Sequence, residues 1–130
     1  MVKIVNGTPW IIVCTDKFDK TVEHFRETFG LSVIAEGVPT VDNQFQRFAQ
    51  LKLPGGPVIE VVEPIESLRD LYTGTIYSIT VEDVYRSRVN MESKGTKFIS
   101  PIFDDSQGFG WTYYQLPSGQ IFQIQGRLSR

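Results

Sequence analysis

Apolar residues recur at two different periods along the chain, and the same succession of periods occurs twice. Trp10-Ile11-Ile12-Val13-Cys14-Thr15 is a short apolar, β-prone run. Phe18, Val22, Phe25 and Phe29 follow at spacings of three and four, which predicts a helix over about 19–29 with one apolar face. Asp16 or Asp19 supplies the N-cap of that helix, and Gly30 supplies a left-handed terminator. A short strand over 31–35, a polar loop over 38–43 and a hairpin of 45–53 with 58–62 complete the first half. The second half runs in the same order. A strand over 75–81 precedes a helix that Asp83 caps, that carries Val84, Arg88 and Met91, and that Gly95 ends. A short strand over 97–100, a long loop over 101–110 and a hairpin of 111–116 with 121–125 follow.

The repeat is also visible residue by residue. Leu53-Pro54-Gly55-Gly56 returns as Leu116-Pro117-Ser118-Gly119. A recurring turn alone would be chance. Here the strand, helix and glycine spacings around the two turns match as well. The pattern predicts an α+β fold of two tandem β-α-β-β-β modules, about 8–62 and 75–126, joined by a linker over 63–74. The modules are expected to form a single domain, a concave mixed sheet with helices on its outer face. A length of 130 residues suits one such domain.

The two turns fix a register. Each suits a three-residue loop with glycine at the αL position. Leu53 then pairs with Pro57 and Gln50 lies opposite Glu60; Leu116 pairs with Gln120 and Tyr113 lies opposite Gln123. Side chains alternate faces along a strand. One face therefore carries Leu51, Leu53, Ile59, Val61, Tyr114, Leu116, Phe122 and Ile124, and packs on the helices. The other mixes aromatic rings with amides and one acid. The ligand-binding residues expected on it are Trp10, Ile12, Phe48, Gln50, Glu60, Ser78, Trp111, Tyr113 and Gln123. Large apolar surfaces with a few orienting polar groups describe a small-molecule pocket. A plain solvated face rarely collects two tryptophans, a tyrosine and a phenylalanine; a dimer interface also favours aromatic residues.

Charge and cysteine content narrow the classes. The formal net charge is −2 and no run of Lys or Arg occurs, so neither nucleic acid nor an anionic membrane surface is an expected partner. Cys14 is the single cysteine, which suits a reducing compartment, and the first residues lack the apolar run of a secretory signal. These features point to a cytoplasmic protein. Cys14 falls on the pocket face, and with no base identifiable beside it reads as a small buried filler.

The strand–helix pattern ending Phe25-Arg26-Glu27-Thr28-Phe29-Gly30-Leu31, with Leu116-Pro117-Ser118-Gly119-Gln120-Ile121-Phe122-Gln123, resembles the vicinal oxygen chelate superfamily. That superfamily includes glyoxalase I, extradiol dioxygenases, fosfomycin-resistance enzymes and bleomycin-resistance proteins. The resemblance covers about 10–125. It implies a homodimer with pockets at or near the subunit interface. It also places metal ligands at Trp10, Glu60, Ile76 and Gln123. Indole and an alkyl chain cannot coordinate a divalent ion, and Gln123 offers only a neutral amide oxygen, so Glu60 alone is competent. The sole histidine, His24, lies on the first helix. No metal site and no cofactor are expected, which weighs against glyoxalase, dioxygenase and thiol-transfer chemistry.

The reading that follows is a metal-independent small-molecule-binding protein of the glyoxalase and bleomycin-resistance type, holding an aromatic or cationic ligand. A first alternative is a metal-independent lyase or isomerase with Glu60 as general base. A second is a protein-interaction module. Glu60 itself has three open roles: a base raised by desolvation, an anion that holds a cationic group, or a relic paired with Lys52, Gln50 or Gln123. The glycine-rich segment Gln107-Gly108-Phe109-Gly110 is a candidate lid.

Overall fold

The computed structural model describes residues 1–129, which divide into two compact units. Thr8–Ile76 form the first; Tyr77–Arg130 together with Met1–Gly7 form the second. The first has the order β-α-β-β-β; the second has β-α-β-β-β-β, because the segment expected as a long loop over 101–110 contains a two-residue strand at Phe103–Asp104 and the start of the next strand at Phe109.

In the first unit, β1 (Trp10–Cys14) leads into α1 (Phe18–Phe29), then β2 (Val33–Gly37), β3 (Phe45–Lys52) and β4 (Val58–Pro64). Its strands lie in the order β2-β3-β4-β1, with β1 parallel to β4 and the other pairs antiparallel. The turn sets the expected register: Leu53 donates its N–H to the Pro57 carbonyl at 2.7 Å, and Gln50 lies opposite Glu60. Phe18 and Val22 of α1 bury against Ala49, Leu51, Ile59 and Val61, with Phe25, Leu31 and Leu53 packed around them. Gly30 ends the helix at φ 66°, where it is spared the Cβ clash of that region.

Three local expectations fail here. The N-cap is Lys17, not Asp16 or Asp19, and no side chain caps it. Asp19 is drawn away by Arg47 of β3, whose guanidinium donates to both carboxylate oxygens at 3.1 and 2.7 Å while lying 4.2 Å from the Phe18 ring centre. Phe29 completes the helical apolar stripe in sequence but, as the last residue of α1, is 64% exposed, its ring edge-on to His24. The second strand starts at Val33 rather than 31 and carries a register shift between Val33 and Ala35.

The second unit contains β5 (Gly74–Val81, belonging to it from Tyr77 on), α2 (Val84–Ser93), β6 (Lys97–Phe98), β7 (Phe103–Asp104), β8 (Phe109–Gln115) and β9 (Ile121–Arg127). The order is β5-β9-β8-β6, with β7 also on β8; β5 runs parallel to β9 and the rest are antiparallel. Leu116 N–H bonds the Gln120 carbonyl at 2.9 Å, and Tyr113 lies opposite Gln123, as the turn predicts. Asp83 caps α2, accepting from the Arg86 N–H at 2.9 Å. Val84, Tyr114, Ile124 and Val81 form the core under α2, with Met91, Leu116 and Phe122 at its margin. Arg88 crosses this layer and donates to the Ser100 carbonyl at 2.6 Å and to Thr112 Oγ1 at 3.0 Å.

The opening residues join the second unit. Ile4 pairs with Val81, Val5 N–H bonds the Thr80 carbonyl, and Glu82 N–H bonds the Lys3 carbonyl. The segment expected as a plain linker is also structured: β4 extends to Pro64, a short 3₁₀ turn spans Glu66–Leu68, and Tyr72 is 1% exposed. Among the described residues no helix is long and apolar enough to cross a membrane.

Candidate functional site

The side of each sheet away from its helix carries the expected binding residues. In the first unit, pairing rows run Ile12–Glu60–Gln50 and Cys14–Val62–Phe48, with Trp10 beside Val58. The other rows, Val13–Val61–Ala49 and Ile11–Ile59–Leu51, include the residues that meet α1. Strand alternation thus sets Glu60 on the face opposite α1.

Glu60 is half-buried, with Ile12 and Gln50 beside it in its pairing row, and Gln50 Nε2 donates to its Oε2 at 2.8 Å. Burial pushes the Glu60 carboxyl up to about 7; the Gln50 hydrogen bond opposes the rise and the negative charge of Asp42 adds to it. The carboxyl therefore changes charge near neutral pH. It does not use Lys52, so that expected pairing is absent and the Gln50 pairing is present. Cys14 is buried, and its thiol is pushed up to about 12 by burial and then by the charge of Glu60. It is a neutral filler, not a nucleophile.

Three residues of this neighbourhood were not legible beforehand. Asp42 and Gln44, from the loop ahead of β3, are 6% and 8% exposed. Asp42 Oδ1 accepts from the Gln44 N–H at 3.2 Å, and Tyr72 donates its hydroxyl to Gln44 Oε1 at 2.7 Å. The Tyr72 ring lies 5.1 Å from that of Phe45. The available signals were weak: an acid within a polar loop, and an aromatic residue within an otherwise polar linker.

In the second unit the rows are Ser78–Gln123–Tyr113 and Thr80–Gln125–Trp111. Ser78 donates to Gln123 Oε1 at 2.5 Å. Phe103 of β7 stacks at a tilt 5.9 Å from Trp111 and meets Tyr113 edge-on at 6.3 Å. These rows contain no charged side chain. His24 stands apart on α1, exposed, its Nδ1 3.3 Å from the Thr28 hydroxyl and its ring edge-on to Phe25 and Phe29.

A divalent ion of the kind the resemblance implies does not fit these residues. The Trp10 indole and the Ile76 alkyl chain present no lone pair, and the Gln123 amide oxygen already accepts from Ser78. Among the described residues no three of His, Cys, Asp and Glu gather as a metal-ligating group.

Comparison with known proteins places the fold. No protein-family model matches the chain, and no curated protein matches its sequence. Solved structures do. A variant of methylmalonyl-CoA epimerase from Streptomyces coelicolor, in complex with 2-nitronate-propionyl-CoA, superposes with a TM-score of 0.71 at 20% identity, covering 99% of this chain and 100% of that one. Methylmalonyl-CoA epimerase from Mycobacterium tuberculosis gives 0.70 at 17% identity, over 98% and 91%. A hypothetical protein from Bacillus halodurans gives 0.71 at 12% identity, over 95% and 96%. At identities of 20% and below, the likeness is one of fold: the chain shares its overall architecture with these structures.

Proposed function

We propose that this chain is a metal-independent small-molecule-binding protein of the glyoxalase and bleomycin-resistance type, which takes an aromatic or cationic organic ligand on the sheet faces turned from the helices. The observation that carries the reading is Glu60: a half-buried carboxyl with one amide donor, Gln50, set in an apolar row and poised near neutral pH. A group of that kind orients a ligand by accepting or donating one hydrogen bond while its surroundings supply apolar contact. In the first unit the ligand-facing residues are Trp10, Ile12, Phe48, Gln50 and Glu60; in the second they are Ser78, Trp111, Tyr113 and Gln123. The donor chemistry at Trp10, Ile76 and Gln123 supports metal independence. The protein works as a cytoplasmic homodimer in this reading.

A thermal-shift screen of the purified protein tests it, using divalent metals beside aromatic, cationic and carbonyl-bearing compounds. A ligand that binds only the folded state raises the melting temperature. Stabilisation by an organic compound and by no metal is expected. Stabilisation by nickel, zinc or manganese, reversed by a chelator, overturns the metal-free reading.

A second reading has its own observation. A carboxyl at about 7 is matched to proton transfer at neutral pH, so Glu60 suits the general base of an isomerase or lyase; two of the similar structures are epimerases. Glu60→Gln separates the two. In the catalytic case the variant binds substrate and does not turn it over. In the binding case neither protein turns over any compound, and the variant loses affinity.

A further inference from the structure

Two side chains of β9 hold hydrogen-bonding capacity that the protein itself leaves unspent. Gln123 and Gln125 are alternate residues on one face of the second unit's sheet, away from the core under α2. They are only 5% and 8% exposed. The Ser78 hydroxyl donates to Gln123 Oε1, which fixes the plane of that carboxamide and leaves both N–H groups of its Nε2 without a partner among the described residues. The Gln125 carboxamide likewise makes no hydrogen bond among the described residues. Neither amide is sealed away. The fully enclosed, unpaired side-chain atoms are Gln44 Nε2 and Asn90 Oδ1, so those of Gln123 and Gln125 keep a small accessible surface.

Buried polar groups in folded proteins are nearly always paired. Two carboxamides side by side on one face, with N–H groups not spent on the protein, can donate to acceptors supplied by a ligand. Alternate residues of a strand stand roughly 6.7 Å apart. The neighbours define what supplies those acceptors. Trp111 lies opposite Gln125 and Tyr113 opposite Gln123, with Phe103 against both rings, so a flat apolar body beside the amides would meet aromatic surface. Ser78 and Thr80 complete the rows, which carry no charged side chain of their own to hold a phosphate or an ammonium group.

We propose that Gln123 and Gln125 form a paired amide clamp for the carbonyl oxygens of a planar organic ligand whose ring lies against Trp111. The clamp rests on the small-molecule reading above and narrows it from aromatic or cationic ligands to planar, carbonyl-bearing ones. It also gives the position of Gln123 a function of opposite polarity. Where the resemblance implies an acceptor for a cation, this chain presents N–H donors.

Phthalimide and isoindoline test the clamp on the full chain. They share a bicyclic skeleton, but in isoindoline both carbonyls are methylenes and the nitrogen is cationic. Phthalimide is expected to move the side-chain NH₂ resonances of Gln123 and Gln125 in ¹⁵N–¹H spectra. Its affinity is expected to fall roughly tenfold in Gln123→Leu and in Gln125→Leu, the scale of one lost hydrogen bond. Should a leucine variant fail to fold, Gln123→Glu and Gln125→Glu keep the shape and replace donors with acceptors, and the same loss of phthalimide binding is expected. If isoindoline binds and phthalimide does not, or if phthalimide binds without disturbing either amide, the clamp is wrong and the small-molecule reading survives. If no compound in the wider screen binds either unit, both readings fall together.

Discussion

Gln50 donates to Glu60 across the β3–β4 pairing at 2.8 Å, and this bond favours the charged carboxylate against the burial that disfavours it. The two residues therefore set one proton equilibrium. Replacing Gln50 by leucine removes the hydrogen bond that holds the carboxyl down, so Glu60 should titrate above about 7. Asp42→Asn removes a negative neighbour and should move it the other way. Titration of the Glu60 side-chain carboxyl by ¹³C NMR in the three proteins checks both signs; a shift in the same direction for both variants would contradict this geometry.

The same group links stability to pH. The folded-state value, about 7, lies above the ordinary value of 4.5. The folded protein thus binds the Glu60 proton more tightly than the unfolded chain does. The resulting stabilisation is complete below about 4.5 and is lost as pH rises through about 7. Urea unfolding at pH 5 and pH 8 should show a decline on the order of a few kcal/mol in the wild type. That component should be missing in Glu60→Gln.

Gly126 admits no side chain. Its φ is +152°, and a Cβ built there would fall on the backbone carbonyl oxygen of Val81. The clash is with a strand, not with the tip of a mobile side chain, so β5 and β9 would have to part. Gly126→Ala should cost more than about 3 kcal/mol, or yield no soluble folded protein. A melting curve beside Gly56→Ala, where nothing lies within 4 Å, gives the contrast between crowding and φ strain alone.

Arg88 holds the polar interior of the second unit. Besides its bonds to Ser100 and Thr112, its guanidinium lies 4.7 Å from the centre of the Phe98 ring. Arg88→Met keeps the apolar stem and strips the donors, leaving buried Ser100 and Thr112 less well paired. A loss of about 2–3 kcal/mol is expected by chemical denaturation. Arg88→Lys should recover less than half, because a single ammonium cannot reproduce the planar fork.

Cys14 should resist chemistry while the protein is folded. With the thiol pushed up to about 12 and buried, iodoacetamide at pH 8 should leave it unmodified over the time in which it labels the urea-unfolded chain fully. Intact-mass spectrometry reads the difference.

The strand register and the division of faces were legible because they depend on local chemistry. Pro54-Gly55-Gly56 and Pro117-Ser118-Gly119 each dictate a turn, and once Leu53 meets Pro57 and Leu116 meets Gln120 the pairings follow as far as Arg47–Glu63, where the register shifts, and Phe109–Arg127. Glu60 and Gln123 could be assigned to a face on that basis alone. What escaped depends on residues far apart in the chain. Asp19 looks like a helix cap until Arg47, a strand away, claims its carboxylate. Phe29 matches the helical period but ends α1 exposed, beside His24 and outside the core. Tyr72, Gln44 and Asp42 carry no periodicity at all, and only the folded path of the linker over the start of β3 brings Tyr72 to Gln44. A period reports which side of an element is apolar; it does not report how far the neighbouring element extends.

The attachment of Lys3 and Val5 to Glu82 and Thr80 has a consequence for how the protein is made. These opening residues leave the ribosome well before their partners are synthesised. The first unit is contiguous from Thr8 to Ile76 and has all its strands in hand while translation continues. The second is not contiguous. Its outermost segment waits, unpaired, for a strand that arrives only after an entire module has emerged. Residues 3–5 are thus synthesised before the first unit and paired only after it is complete. A chain released early, short of Val81, would carry a complete first module and a leading segment with nothing to bind.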